Sequence, residues 1–534
     1  MYKKIAAGIL ILISVLALIL CIFPCRVANA LKNPDTILEE VSIVDEEEWN
    51  EVIGQNEMTP MDENAVLYNG GSAAYDAGIN TFYLSQDMGS ASWDGIFAPL
   101  EPDAKLYILK DDLLYDKASA LEEGYSFSCL YLEEEGTCSG FSLVFTGLPT
   151  VSLEYDAEYP LTTRKEDHDG VIAVQGTDGS YVLSECSFHL RGDTTLSYDK
   201  KSYKVTLKTT NGEKNHLSLL GMRSDDDWIL NAQYTDGSRI REPLAYELWE
   251  EMQILTGEEE AKTSHMEFVE VFINDAYMGL YTLMEPIDGK TFGLEEDDIL
   301  YKTNDWEQEE WSQGMDQYQG LDTISGAKIE WPNETSHLDW SVMEILYQVR
   351  AGNLTWDEMI EKGVEVDLDN LTLFNLFVFL SRANDTLWKN IYFECVMQDD
   401  GTYLVRLYPW DLNASFGDNY AGEYKKGSGT EVISEYGDEV SKARLWKDYR
   451  SYDPVDCNER IVSMWKTLRD SGLSAESVQE MAEELWTKLL ASGAIFREAD
   501  RWPGTVDGND YTNLYPWLVD RFATLDGEYV YVAK

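Results

Sequence analysis

The sequence predicts an α+β protein, β-rich in its front half and mostly helical behind. Up to about residue 288, short runs of alternating or β-branched residues recur between Gly and Asp turns, as strands do. Beyond about residue 340, apolar residues return at helical spacing, interrupted once by a hairpin signal, Asp399-Asp400-Gly401. At 534 residues the chain is too long for one ordinary core, and 44% hydrophobic with 12% aromatic residues supplies apolar material for several folding units.

The first residues read as an export signal. Lys3 and Lys4 precede an apolar run from Ile5 to Phe23, and Ala28-Asn29-Ala30 has the small-residue pattern of a signal-peptidase site. The run is also long enough to stay as a membrane anchor if left uncut, and both outcomes stay open. Leu18-Ile19-Leu20 lacks the small residue that a lipoprotein site places before its cysteine, here Cys21. Residues 31–64, with Asp45-Glu46-Glu47-Glu48 and little periodicity, read as an acidic, solvated linker. Residues 65–147 read as a small β-rich accessory domain of unassigned role, with strands at Thr81–Leu84, Lys105–Leu109 and Phe141–Phe145. Within it, Cys129 and Cys138 flank an acidic turn; they either close a hairpin disulfide in an oxidising compartment or stay as buried thiols.

Residues 148–288 form the second β-rich stretch, with strands expected at Thr150–Tyr155, Ser187–Arg191, Ser202–Lys208 and Glu267–Ile273. A helix starts after Ser238 and runs through Leu244–Trp249, and a turn at Asn274-Asp275 leads into Leu280–Glu285. An irregular acidic insertion carrying Trp306, Trp311 and Trp331 follows; it is either a lid or a packed surface loop. Helices then fit Val342–Arg350, Leu371–Arg382 and Ala475–Leu490, and strands Ile391–Glu394 and Tyr403–Tyr408 bracket the hairpin signal.

The residues that invite chemistry flank this hairpin: Asp385 and Asn390 before it, Asp411 after it. Phosphoryl transfer asks for one carboxylate to orient a hydroxyl nucleophile, and a second carboxylate with an oxygen donor to hold metal on the phosphates. A loop that leaves a helix after Arg382 and enters a strand at Ile391 can return Asn390 beside Asp385, and the hairpin brings Asp411 back. The Asp-x-x-x-x-Asn spacing alone is weak, because so acidic a chain produces it by chance. Five histidines without metal spacing give no zinc site, and no Gly-x-Ser-x-Gly elbow points to a hydrolase.

Four segments together are more specific. Phe188-His-Leu-Arg191-Gly192 followed by Lys200-Lys201-Ser-Tyr-Lys204, the block from Asp227-Trp228 through Asp236, Ser238, Arg239 and Arg241, the hairpin from Val271 to Glu285, and the stretch from Asp385 to Gly417 resemble the CotH kinase-like family of spore-coat proteins, from about Leu148 to the end. The resemblance implies an atypical protein-kinase-like bilobal fold, with a β-rich N-lobe over about 148–288 and an α-rich C-lobe over about 289–534. It also implies ATP and Mg2+ or Mn2+ as cofactors, and a secreted or cell-surface protein as the partner phosphorylated on Ser or Thr. Asp385 would be the catalytic acid-base residue, Asn390 and Asp411 metal ligands, and Lys204 the nucleotide-phosphate lysine. Arg191, Glu247 and Glu285 would join Lys204 on the nucleotide side. One position departs: where family members often carry Trp-Asp-x-Asp, this chain has Trp410-Asp411-Leu412-Asn413, so Asn413 would be a weaker, neutral metal ligand.

Several assignments keep competitors. Lys201 and Lys208 rival Lys204 as phosphate contact, and Glu242 and Glu250 rival Glu247 as its carboxylate partner. Gly192 either lets backbone N–H groups cradle phosphates or makes a tight strand turn, and Asp236 and Arg241 either cap the helix or touch ligand. The balance of 41 Lys+Arg against 98 Asp+Glu, a net charge of −57, repels phosphate backbones and anionic lipid headgroups. Nucleic acid is therefore excluded as a partner, membrane contact is left to the N-terminal segment, and any triphosphate must be met with a metal. The same scaffold with its chemistry lost would serve instead as an adhesive surface or spore-coat protein, and a glycan acceptor is a further alternative.

Overall fold

The computed structural model describes residues 40–114, 116–133, 136–192, 194–304, 321–324, 326–332, 338–387, 389–417 and 444–531. The expected export signal at residues 1–30, and Trp306 and Trp311 of the acidic insertion, lie outside the described residues. Among the described residues, no helix is long and apolar enough to cross a membrane.

Two compact units divide the chain, each built from separated pieces: residues up to 232 with 267–283 and 487–503, and residues 233–266 with 284–486 and 504–534. This corrects the expected lobe boundary near residue 288. The helix Arg241–Thr256 belongs to the second unit because Trp249 packs edge-on against Phe374, Phe377 and Tyr408, with ring centroids 5.3–6.3 Å apart.

The first unit opens with a seven-stranded sheet. Its spatial order is Val41–Val44, Lys105–Leu109, Ser126–Leu132, Thr137–Thr146, Thr81–Ser85 and Ala74–Asp76, with Glu57–Met58 also pairing the Thr137–Thr146 strand. The expected linker is thus corrected from residue 41 onward: Val41–Val44 is an edge strand, and Glu46–Gln55 is a helix. The acidic run is a helix start. Asp45 caps it by accepting the Glu48 N–H at 3.0 Å, and Glu46, Glu47 and Glu48 fill the first turn, where negative charge meets the positive end of the helix dipole.

The two cysteines of the accessory region do not form a disulfide; both are free and buried. In the antiparallel ladder Cys129 faces Phe141 and Cys138 faces Leu132, so they are out of register. They also point to opposite faces, Cys129 into the core around Phe82, Leu84 and Phe145, Cys138 toward Val44, Tyr107 and Leu130.

A closed barrel follows, ordered Thr150–Tyr155, His168–Gln175, Tyr181–Arg191, Ser202–Lys208, Asp227–Asn231, Tyr277–Met284 and Met266–Ile273, the last pairing in parallel with the first. Along Ser202–Lys208, Tyr203, Val205 and Leu207 are buried while Lys204 and Lys208 are half-buried, the alternation of a strand with one face inward. The turn at Asn274-Asp275 carries φ of 47° and 55°, the left-handed pair that a two-residue hairpin needs.

Residues 487–503 fold with this barrel because buried charges tie them to it. Lys200 and Glu498 have no exposed side-chain surface and meet at 2.7 Å, while Glu498 also accepts the Leu280 N–H at 2.8 Å. Lys200 further donates to the Leu280 carbonyl and lies 4.4 Å over the Tyr281 ring. A Cβ on Gly279, whose φ is +101°, would strike Glu498 Oε2, so the strand must be glycine there. Arg497 grips Glu270 through Nε at 2.7 Å and a second nitrogen at 2.8 Å. Glu498→Gln removes the countercharge of a buried ammonium and should cost about 3–5 kcal/mol in urea unfolding. Replacing both partners, Lys200→Met with Glu498→Leu, should recover most of that loss.

Candidate active site

In the second unit, Leu368–Ser381 is a helix with Leu371 to Ser381 all buried, apolar around its whole circumference as a central helix must be. Asp367 caps its start. Asn370 then locks it to the Tyr403–Pro409 strand, accepting the Leu407 N–H at 2.7 Å and donating to the Leu407 carbonyl at 3.2 Å. Strands Ile391–Met397 and Tyr403–Pro409 form the expected hairpin, closed by Gly401 at φ 84° with Asp400 accepting from Thr402. They lie within a six-stranded sheet, between Ile299–Thr303 and Val364–Val366.

The helix ends at Arg382 in the left-handed region, and Asp385 follows in a short 3₁₀ turn, Asn384–Thr386. Asp385 and Asn390 are both buried, and the Asn390 side-chain amide donates to Asp385 Oδ2 at 3.1 Å. The same oxygen receives the Lys389 ammonium at 2.9 Å. The far end of the hairpin is stitched to this loop by one residue: the Trp410 N–H donates to the Asn390 carbonyl at 2.9 Å, and the Trp410 carbonyl accepts from Thr386 Oγ1 at 3.3 Å. Asp411, the next residue, is exposed, Leu412 is buried, and Asn413 is half-buried.

Arg382, Asn390, Asp411 and Phe416 all hold positive φ between 50° and 58°. Such conformations are uncommon outside glycine and persist where surrounding bonds impose them, a concentration typical of functional sites. Those bonds include Asn390 N–H to the Thr303 carbonyl at 2.7 Å and Phe416 N–H to the Ser381 carbonyl at 2.6 Å.

Two lysines here escaped the sequence reading. Lys389 is one; Lys302 is the other, standing across the sheet from Tyr392, with its ammonium 5.0 Å from the Tyr392 ring centroid and 4.6 Å from that of Trp410. An acid and a base four apart are a pairing signal on helices, and this segment is a loop; Lys302 meets Trp410 only through sheet pairing.

The expected nucleotide-side residues divide between the units. Arg191 ends a first-unit strand, and Gly192 follows at φ +94°, where a Cβ would strike Thr195 Oγ1. Thr195 donates to the Arg191 carbonyl at 3.3 Å, so this glycine makes a tight turn. Lys204 pairs with Asp227 on the neighbouring strand at 3.0 Å. Lys201 bonds the Leu196 and Tyr198 carbonyls, and Lys208 pairs with Asp169 at 2.8 Å. Asp227 closes a run of three acids with separate cations, Asp225 with Arg223 at 2.6 Å and Asp226 with Lys214 at 2.7 Å. His216 lies 3.2 Å from Asp226, which makes His216, Asp225 and Asp226 the one three-residue metal-type grouping among the described residues. Lys214 and Arg223 already balance its two carboxylates.

In the second unit, Glu247 is exposed on its helix, Glu250 is half-buried, and Glu242 is buried and accepts from Gln233 at 2.8 Å. Glu285 is buried with one oxygen 3.0 Å from His265 Nδ1. Trp331 packs over Gly289 and donates to the Glu295 carbonyl at 2.8 Å.

A family model described as CotH kinase protein matches residues 188–524. The chain belongs to the CotH kinase family. The match covers most of the region in which the sequence resembles that family, beginning inside the Tyr181–Arg191 strand, and places this chain among kinase-like proteins, which generally use ATP and a divalent metal. No curated protein matches the chain.

Asp236 proves to be an anchor for the Arg241–Thr256 helix. It accepts the Arg241 N–H at 2.8 Å, pairs with the Arg241 guanidinium at 2.6 Å, and takes both Ser238 donors at 2.7 and 2.8 Å. Burial alone would raise its pKa, but the Arg241 charge and these bonds outweigh it and hold the carboxyl below its ordinary range. A carboxyl depressed on folding stabilises above its unfolded pKa of about 3.9, and that contribution fades as pH falls through the folded value. Asp236→Asn should therefore lower thermal stability at pH 7 and flatten the loss of stability below about pH 4, both read from unfolding curves across pH.

Proposed function

We propose that this CotH family member is an exported or surface-tethered kinase that uses ATP and a divalent metal to phosphorylate Ser or Thr on a secreted or cell-surface protein. The observation that carries the reading is the buried Asn390–Asp385 hydrogen bond beside Trp410, which joins the loop before the hairpin to the residue leading into Asp411. Export rests on the pattern of residues 1–30.

The donor set fits a hard cation: a carboxylate at Asp411 and amide oxygens at Asn390 and Asn413 suit Mg2+ or Mn2+ better than a soft metal. When bound, the cation neutralises charge on the phosphates. Asp385 orients the acceptor hydroxyl and takes its proton as the oxygen attacks phosphorus. With Lys389 and Asn390 both on Oδ2, the carboxylate is held in one orientation. On the nucleotide side, Lys204, Arg191, Glu247 and Glu285 remain the residues that the family resemblance nominates.

Asn413 supports a second reading. An amide in place of an acid lowers the charge available for metal, which favours a scaffold that presents a surface without transferring phosphate. Calorimetry with ATP and Mg2+ separates the two readings, since only the kinase binds. With labelled ATP, Asp385→Ala should lose on the order of 100-fold or more in turnover, and Asp411→Ala should lose metal-dependent incorporation. Equal labelling of wild type and both variants would end the kinase reading.

A further inference from the structure

A cavity of about 590 Å³ opens within the second unit, between the end of the Arg241–Thr256 helix, the start of the Leu368–Ser381 helix, the hairpin and the Pro454–Asp470 helix. Its lining holds six carboxylates against three basic side chains. Arg406 pairs with Asp367 at 2.9 Å and Arg460 with Asp369 at 2.7 Å. Glu258, Glu260 and Glu459, all exposed, have no ion pair among the described residues. On the hairpin wall stands Glu394, only 4% exposed. It is four residues along its strand from Asn390, and so about 13 Å from it. Its Oε2 accepts from the Tyr408 hydroxyl at 3.2 Å and lies 3.9 Å from Arg406, whereas Oε1 takes no hydrogen bond from a described residue. Burial pushes the Glu394 pKa up, and Arg406, Tyr408 and Lys262 offset only part of the rise. A carboxylate short of positive charge thus forms the inner wall of a cavity lined by further acids.

We propose that this cavity receives a lysine or arginine side chain of a partner protein, with its cationic head on Glu394 and the flanking residues of the partner among Glu258, Glu260 and Glu459. Nothing in this needs phosphoryl transfer, so it stands whether or not the chain is a kinase. The volume suits a peptide-sized guest rather than a lone ion. A bare polyamine would leave most of that space unfilled and forgo the packing contacts that a side chain with its neighbours can make. The head would meet Glu394 through a charge-assisted hydrogen bond, one of the stronger kinds. Lys262, the remaining base of the lining, has no ion pair among the described residues yet acts on Glu394 through its charge. It repels an arriving cation, so its removal should tighten binding.

The test uses the full chain and a capped, labelled peptide carrying three lysines spaced by glycine, with affinity read from fluorescence anisotropy. Salt at about 0.15 M screens the general attraction of so acidic a protein beyond about 8 Å. Glu394→Gln keeps an acceptor for Tyr408 while removing the charge, and should weaken binding about tenfold. Glu258→Gln with Glu459→Gln touches no buried residue and should weaken it about threefold. Lys262→Met should bind more tightly than wild type. Glu185→Gln with Glu213→Gln removes two exposed charges from the first unit and should leave affinity within about twofold. Spermidine should displace the peptide only at much higher concentration than the unlabelled peptide does. Absence of peptide binding to wild type overturns the proposal, and so does weaker binding by Lys262→Met. A loss in the first-unit pair as large as that of Glu394→Gln would reduce the binding to general charge attraction, and spermidine binding as tightly as the peptide would make the guest a free polyamine; either result also overturns it.

Discussion

The candidate site depends on the backbone of Trp410. Its N–H and carbonyl reach back to Asn390 and Thr386, next to Lys389 and Asp385 in the loop before the hairpin. The 391–397 and 403–409 strands set the distance between those segments, and their register, Ile391 opposite Pro409, delivers Trp410 to Asn390. Slipping that register by one residue would turn every side chain of a strand to the other face and separate the two halves of the site. The left-handed residues at 382, 390, 411 and 416 mark where the chain bends to satisfy these bonds. Each is costly alone and tolerable only in a frame built by the central helix and the hairpin.

The same economy of charge runs through both units. A chain with 98 acids and 41 Lys and Arg residues has few cations to give, and buried acids receive them. Glu498 has Lys200, Glu270 has Arg497, and Asp236 has Arg241. Unpaired charge in an interior costs several kcal/mol, while exposed carboxylates are hydrated at little cost, so these inward pairs matter more to the fold than exposed ones such as Lys208 with Asp169. Lys389 follows this pattern in its pairing with Asp385.

Much of the fold was legible where local pattern and tertiary role agree. The Thr150–Tyr155 and Ser202–Lys208 strands begin and end where the sequence pattern places them, and the hairpin turns at Asn274-Asp275 and Asp399-Asp400-Gly401 lie where their residues require. The acidic run after Asp45 misled, because acids that look like a solvated linker are also the residues that favour a helix start. Trp249 drew its helix away from the expected boundary, through aromatic contacts that no local period encodes.

By itself the sequence determined which residue types were present at which spacings: Asp385 five residues before Asn390, a hairpin signal after it, Asp411 beyond, and the motif set that belongs to the CotH kinase family. Those are local and combinatorial facts, and spacing carries them. The tertiary structure alone decided partners: Lys204 with Asp227, Lys389 with Asp385, Lys302 over Trp410, Lys200 with Glu498 almost three hundred residues away. Partner choice depends on which side chains share a face and how deeply they are buried, and both arise only when strands pair and a core closes.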